Sequence, residues 1–124
     1  MRVRPRTQHG AVTAETAVVL PILAAFALGL VWVISLGVSQ ARAVDAAREV
    51  ARVVARGDSL AEARSWGSRV APDGARITVD RGEERVTVRV AATVRGPGGL
   101  FDFLPGFPVR AEAVAATERG EAGP

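Results

Sequence analysis

The stretch AVVLPILAAFALGLVWVISLGVS, residues 17–39, decides the fold of this 124-residue chain. It contains no ionisable side chain. At a rise of about 1.5 Å per residue it forms about 34 Å of helix, enough to cross a hydrocarbon layer of ~30 Å. The core helix of a water-soluble domain is rarely apolar on every side for such a length. The stretch therefore predicts one membrane-spanning helix near the N-terminus.

The residues before this stretch carry the excess positive charge of the chain. The leader, residues 1–10, holds three of the 16 basic residues, which are all arginine, and the remaining 13 balance the 13 acidic residues. A basic surface for nucleic acid is therefore not indicated. By the positive-inside rule, an arginine-rich leader predicts a cytoplasmic N-terminus and an extracytoplasmic segment from Arg42 onward.

The residues after the apolar stretch continue the helix but change its character. In ARAVDAAREVARVVARG, residues 41–57, charged side chains recur every three or four positions and so share one stripe of a helix. The predicted apolar row beside that stripe consists of Val44, Ala47, Ala51 and Val54. We expect one helix from about Thr13 to Arg56, with Gly57 as its C-terminal cap.

A second, shorter helix is predicted in SLAEARSWGSRVA, residues 59–71. Ser59 and Glu62 have the spacing of a capping box, which marks a helix N-terminus. The inner side of this helix is predicted to hold Leu60, Ala63 and either Trp66 or Val70. Pro72 and Gly74 end it.

Three later segments alternate apolar and polar residues with the period of two that is typical of strands. They are residues 75–80, 85–95 and 109–118. The turn 80–84 joins the first two as a hairpin, and the third completes an antiparallel sheet. A Gly/Pro-rich loop before the third strand carries Leu100, Phe101, Phe103, Leu104 and Phe107. We expect these side chains to close the end of the core rather than to form an exposed contact patch.

Together these patterns predict an α+β chain in three parts. A cytoplasmic leader, 1–10, precedes a long helix, 11–57, which is transmembrane over about 17–39 and amphipathic over about 40–57. The head, 58–124, contains the short second helix and the small three-stranded antiparallel sheet, and it ends in a flexible tail. The amphipathic half of the long helix packs on the sheet, because so small a sheet is not stable alone.

The stretch HGAVTAETAVVLP, residues 9–21, contains features of a processing signal. Its one carboxylate, Glu15, stands at the entrance of the apolar helix, and Gly10 precedes it by five residues. A Sec signal instead needs an apolar core of about 7–15 residues and then a small-x-small site. The triplet SQA, residues 39–41, fits such a site, but the apolar run is longer and the cut divides a continuous helix. Release near Ala41 and an uncleaved signal anchor both stay open.

The order G-AVTAE followed by an apolar helix resembles the class III signal of type IV pilins and pseudopilins. The longer stretch GAVTAETAVVLPILAAFALGL resembles the TadE-like family of minor pilins or pseudopilins of tight-adherence (Tad) pilus systems. This resemblance implies that prepilin peptidase cuts after Gly10, so that Ala11 becomes the N-terminus. It also implies that Glu15 pairs with the N-terminal amine of a neighbouring subunit. The implied partners are the peptidase, other pilin and pseudopilin subunits and the pilus assembly platform.

Pro21 is the second residue of this segment to which we assign an assembly role. A proline inside a helix removes one backbone hydrogen bond, here to Ala17, and this lets the helix bend during extraction from the bilayer. Membrane helices also tolerate proline without any such function.

The sequence does not indicate an enzyme, a metal site or a cofactor. It contains no Cys, Lys or Tyr, and its one histidine, His9, belongs to the leader. Glu83 and Glu84 are adjacent, but they fit the solvated end of a hairpin. We therefore expect a single-pass subunit of the cell membrane that acts by packing and recognition in pilus assembly.

Overall fold

The computed structural model describes residues 9–96, 99 and 102–118. Over these ranges the chain forms two helices, α1 (His9–Ala55) and α2 (Leu60–Val70), and three strands, β1 (Arg76–Arg81), β2 (Arg85–Val94) and β3 (Phe107–Ala116). The predicted α+β class is therefore confirmed. The residues of the predicted leader before His9, the loop residues Leu100 and Phe101, and the predicted tail after Glu118 lie outside the described residues. The chain divides into two compact units, Met1–Val33 and Ile34–Pro124, with the boundary inside α1.

The two ends of α1 differ in how well the sequence predicted them. The helix is already formed at His9, earlier than the expected Thr13, although Gly10 lies between them. At the other end Gly57 has a φ of 93°. The backbone N–H groups of Gly57 and Asp58 donate to the carbonyls of Val54 (3.0 Å) and Val53 (3.3 Å). This is the Schellman arrangement, so Gly57 is the predicted C-terminal cap.

The C-terminal turns of α1 supply one side of the core of the second unit. The buried residues of this helix in the core are Ala43, Ala46, Ala47, Val50, Ala51, Val53 and Val54. This stripe is wider than the predicted row, and Val44, which the row included, is only partly buried. The stripe is wide because the same core also includes residues of α2 and of the sheet.

Helix α2 begins as predicted, and Leu60 and Ala63 pack on the core as predicted, but the rest of its buried face differs. The Ser59 hydroxyl accepts a hydrogen bond from the Glu62 backbone N–H at 3.2 Å, which is the expected cap. The buried residues are Ala63 and Gly67, whereas Trp66 is 50% exposed. The prediction that Trp66 or Val70 faces inward was wrong. The reason is the close approach of α2 to α1: small residues at the contact let the backbone come near Val50 and exclude a large side chain.

The sheet is an antiparallel meander in the order β1-β2-β3. Its register pairs Val79 with Val88 and Val88 with Ala113. The central strand shows the predicted alternation, with Val86, Val88, Val90 and Ala92 buried and the residues between them exposed or partly exposed. Val109 of β3 belongs to the same core.

The described side chains between β2 and β3, together with Phe107 at the start of β3, do not close the core, contrary to the prediction; Leu100 and Phe101 lie outside the described residues. Phe103 is 78% exposed, Phe107 is 55% exposed, and Leu104 is also exposed. The largest fully buried side chains are Val50, Val88 and Val90, so the core of the described residues is built from small side chains. Because alanine and valine already fill the space between helix and sheet, a phenylalanine ring does not fit there.

We expect the substitution Gly67→Ala to destabilise the second unit. A Cβ at this position would clash with Cγ2 of Val50 and lie 3.0 Å from Cδ1 of Ile77. Overpacking costs about 1–3 kcal/mol, of which the better helix propensity of alanine offsets about 1 kcal/mol. Denaturant unfolding of the full chain in detergent micelles, followed by far-UV circular dichroism, measures the loss.

The double variant Val50→Ala/Gly67→Ala provides the control for this prediction. Val50→Ala removes the methyl groups that the new side chain would meet, so Gly67→Ala should cost less in that background. An equal cost of Gly67→Ala in both backgrounds would show that the clash with Val50 is not the cause.

Candidate assembly site on the long helix

The N-terminal part of α1 presents an apolar surface that its own chain does not cover. Every residue from Gly10 to Ala27 is exposed, and Phe26 is 66% exposed. The other large exposed apolar residues of the first unit are Val12, Val18, Val19, Leu20, Ile22, Leu23, Leu30, Val31 and Val33. The most apolar window of this helix has a mean hydropathy of 2.7 and no buried residue. By its length and composition the helix is compatible with a membrane anchor.

The predicted cleavage junction lies at the start of this surface. Gly10 and Ala11 are both exposed and both helical. A Cβ added at Gly10 would meet no atom within 4 Å, so the described part of the chain does not need a glycine there for packing. The absence of a side chain at this position therefore has no explanation in the fold of the described residues.

Glu15 lies one helical turn after Ala11 and is exposed. The ion pairs of the described residues are Glu49–Arg52, Asp58–Arg56 and Glu112–Arg89, so Glu15 has no partner in that part of the chain. The neighbouring Thr16 satisfies its own hydroxyl by donating to the carbonyl of Val12 at 2.8 Å. Glu15 is thus a carboxylate set in an apolar surface without a countercharge from the described residues.

Pro21 lies inside α1, and the helix continues through it without interruption. Because proline has no backbone N–H, the carbonyl of Ala17 lacks its usual helical donor. Ala17 is exposed, so a neighbouring group can approach this carbonyl. The structure brings Gly10, Ala11, Glu15 and Pro21 together only as successive positions on the same two or three helical turns.

The chemistry available among the described residues is that of packing and charge pairing. No group of three or more His, Cys, Asp or Glu side chains in that part of the chain is arranged to hold a metal ion. Sequence reasoning also missed the exposed side chains of the loop between β2 and β3. The composition of the strands and of the amphipathic helix was the available signal, because their inward faces consist mainly of Ala and Val.

Residues 10–52 match the family model described as TadE-like protein. No curated protein and no solved structure is significantly similar to the chain. The TadE-like family is a family of structural pilus components rather than of enzymes, and similarity to it over these residues suggests a pilin-like protein associated with a Tad pilus. The match starts at the glycine that precedes the exposed apolar surface. The resemblance seen in the sequence is therefore confirmed, and the chain carries a TadE-like segment that begins at Gly10 and ends among the core residues of α1.

Proposed function

We propose that this chain is a minor pilin or pseudopilin subunit of a Tad-type type IV pilus. One observation carries the proposal: the family match over residues 10–52 includes the apolar surface of α1 that the described chain leaves uncovered, in which every residue from Gly10 to Ala27 is exposed. In this proposal prepilin peptidase removes residues 1–10 at the cytoplasmic face of the membrane. The mature subunit, which begins at Ala11, then joins the pilus through its helix, guided by the assembly platform.

The exposed surface suits a helix that exchanges one apolar environment for another. In the membrane, lipid chains cover Val18, Ile22 and Phe26. In a pilus, helices of neighbouring subunits cover the same side chains, so that assembly does not expose them to water. A large apolar surface of this kind would otherwise lead to aggregation in water.

In our proposal the charge of Glu15 determines how a neighbouring helix aligns with this surface. An ionised carboxylate at the centre of the bilayer costs about 2.5–3.5 kcal/mol on insertion scales, and less near the interface. The positive end of the helix dipole offsets about 0.3–1 kcal/mol of that cost. Cleavage after Gly10 adds a positive amine at Ala11. In our proposal the amine of a neighbouring subunit pairs with Glu15, so the same cut releases the leader and creates the countercharge.

Pro21 makes the same helix easier to bend. With the carbonyl of Ala17 released from its usual hydrogen bond, the helix bends there more easily than elsewhere. In our proposal this bend assists the removal of the subunit from the bilayer.

Two other functions of the chain make different predictions for its N-terminus. An uncleaved signal-anchored envelope subunit would begin at Met1 or Arg2. A secreted domain released by Sec cleavage would begin near Arg42. The second alternative requires a cut beside Gln40, whose side chain donates to the carbonyl of Arg110 at 2.9 Å. The head would lose this hydrogen bond, so the geometry favours retention of the helix.

We expect Gly10→Val to block maturation in the native host. A β-branched side chain at this position occupies space that the peptidase must accommodate, whereas the chain itself leaves the site open. Mass spectrometry of the membrane fraction should find Ala11 as the first residue of the wild type and the leader still attached to the variant. Gly37→Val is the matched control, because a Cβ at Gly37 also meets no atom within 4 Å and should leave cleavage intact. A wild-type chain that begins at Met1 or near Arg42 contradicts the proposal.

We expect Glu15→Ala to permit cleavage and folding of the head but to prevent incorporation into the pilus. Breaking a buried charge pair costs about 3–5 kcal/mol, so incorporation should fall by at least about a hundredfold. Immunoblots of sheared pili, normalised to the mature chain in the membrane, measure the loss. Thr16→Ala is the control, since it removes an exposed polar group of the same turn without a change in charge. Normal incorporation of Glu15→Ala would exclude the pairing mechanism.

A further inference from the structure

Two hydrogen bonds show how the strands of the head run along α1. Near the apolar segment, the Gln40 side chain donates to the carbonyl of Arg110 at 2.9 Å. At the far end, the Glu118 backbone N–H donates to the carbonyl of Ala55 at 3.2 Å. The helix rises about 22 Å from Gln40 to Ala55, and an extended strand spans about 26 Å from Arg110 to Glu118. Strand β3 therefore follows the helix in the same direction, and its beginning lies at the end where the apolar segment enters the head.

The loop before β3 reaches beyond Gln40 toward that apolar segment. Phe107 precedes Arg110 by three residues, which is about 10 Å of extended strand. The same length of helix corresponds to roughly six residues, so Phe107 lies near the level of Ile34. Ile34 belongs to the apolar run 17–39. Residues 34–39, which end this run, therefore lie at the height of the loop, so a membrane surface at that end of the run meets the loop.

The described part of this loop has a defined shape and an apolar tip. Gly106 lies so close to Thr93 that an added Cβ would clash with it, and the Asp102 N–H donates to the Gly99 carbonyl at 3.3 Å. Phe103, Leu104 and Phe107 are nevertheless exposed. The loop thus holds large apolar side chains outside the core.

Arginines surround the loop on the outer face of the sheet. Arg76 and Arg110 flank Ala91 on neighbouring strands, and Arg95 follows β2 directly. The described residues offer these three guanidinium groups no ion pair. Two carboxylates, Asp73 and Asp102, line the same surface, so positive charge is in excess there.

At the opposite end of the head, acidic residues outnumber basic ones. Its acidic residues are Asp58, Asp80, Glu83, Glu84 and Glu118, and its basic residues are Arg56, Arg81 and Arg85. The carbonyl of Asp58 accepts from the Arg81 side chain at 3.3 Å, which places these turns together at the end of α1. The head is therefore polarised, with its positive end on the side of Gln40.

We propose that the loop 102–107 docks the head onto the phospholipid surface of the membrane that holds the apolar segment. Phe103, Leu104 and Phe107 enter the boundary between headgroups and acyl chains, while Arg95 and Arg110 contact lipid phosphates. Aromatic and aliphatic side chains beside arginines are the composition that binds this interface. The inference rests on membrane anchorage of the chain, but on neither cleavage after Gly10 nor incorporation into a pilus.

A lipid surface fits this end of the head better than a second protein does. The position of the lipid surface is fixed by α1, because the apolar run of this helix ends at the level of the loop. The phosphates complement the excess of arginine, and a fluid interface accepts exposed phenylalanines without a shaped pocket. Docking at two points, the helix and the loop, also fixes the orientation of the head relative to the membrane.

The test uses the full chain in vesicles of phosphatidylcholine, with and without phosphatidylglycerol. The two natural tryptophans are replaced by Trp32→Phe and Trp66→Phe, and Phe103→Trp then reports on the loop. Val114→Trp is the matched control, because Val114 is 56% exposed on β3 but lies toward the far end of the head. Lipids brominated near the headgroup end of the acyl chain quench a tryptophan that enters the interface.

We expect the probe at position 103 to emit at shorter wavelength and to be quenched by brominated lipid, and the probe at position 114 to be unaffected. Adding Arg95→Gln and Arg110→Gln should lower the docked fraction, about fivefold per arginine in the anionic vesicles. A probe at 103 that is shielded from acrylamide but not quenched by brominated lipid would mean a contact with protein, and would overturn the proposal. Equal quenching at 103 and 114 would overturn it too.

Flotation of the same samples tests membrane anchorage of the chain separately from docking of the loop. A chain that floats with the vesicles but shows no quenching at position 103 disproves docking and leaves the anchor and the pilus role intact. A chain that does not float disproves anchorage, and docking with it.

Discussion

The contact between helix α1 and the inner face of the sheet is the interaction on which the head depends. A three-stranded sheet and an isolated amphipathic helix are each marginal in water, so each needs the other's apolar surface. Among the described residues, α1 contributes Ala43, Ala46, Ala47, Val50, Ala51, Val53 and Val54 to the core, more than the sheet does. The segment that precedes this contact along the same helix is apolar on all sides. The C-terminal part of α1 is therefore covered by the sheet, whereas the apolar segment before it needs lipid or other chains to cover it.

Local rules were enough to predict the elements of this fold. Gly57 ended the helix because only a left-handed residue completes the Schellman bonds, and Ser59 began the next helix because its hydroxyl satisfies the N–H of Glu62. The period of two in β2 identified the inward face of Val86, Val88 and Val90. The errors arose where the distance between elements decides burial. Periodicity placed Trp66 inward, but the close approach at Gly67 leaves no room for a large ring, and the same shortage of space keeps Phe103 and Phe107 outside.

The residues of the candidate site could be identified from the sequence, but their partners could not. Gly10, Glu15 and Pro21 stand out because each is unusual at the start of an apolar helix, and the family match covers all three. Their exposure follows from the fold, since the core of the described residues begins only at Ala43. The proposed pairing of Glu15 with an amine would be a property of an assembly, to which one chain contributes spacing and exposure alone. The position of residues 102–107 at the Gln40 end of β3 was not predictable in this way, because it depends on strand register that no local pattern specifies.

The spacing between Ala11 and Glu15 constrains any assembly in which they pair. In a mature chain the amine and the carboxylate would be four residues apart, close enough to interact within one helix, where an exposed pair contributes only about 0.3–0.5 kcal/mol. This exposed pair within one helix is weaker than an amine–carboxylate pair that is shielded from water between two helices. For Glu15 of one chain to meet Ala11 of a parallel neighbour at the same height, the neighbour must be displaced by about 6 Å along the axis. In the proposed assembly, the four-residue interval between Ala11 and Glu15 would thus set a stagger between helices, while the apolar side chains around it would hold the helices together at any stagger. A charge pair in an otherwise featureless apolar surface is what converts non-specific helix association into a defined register.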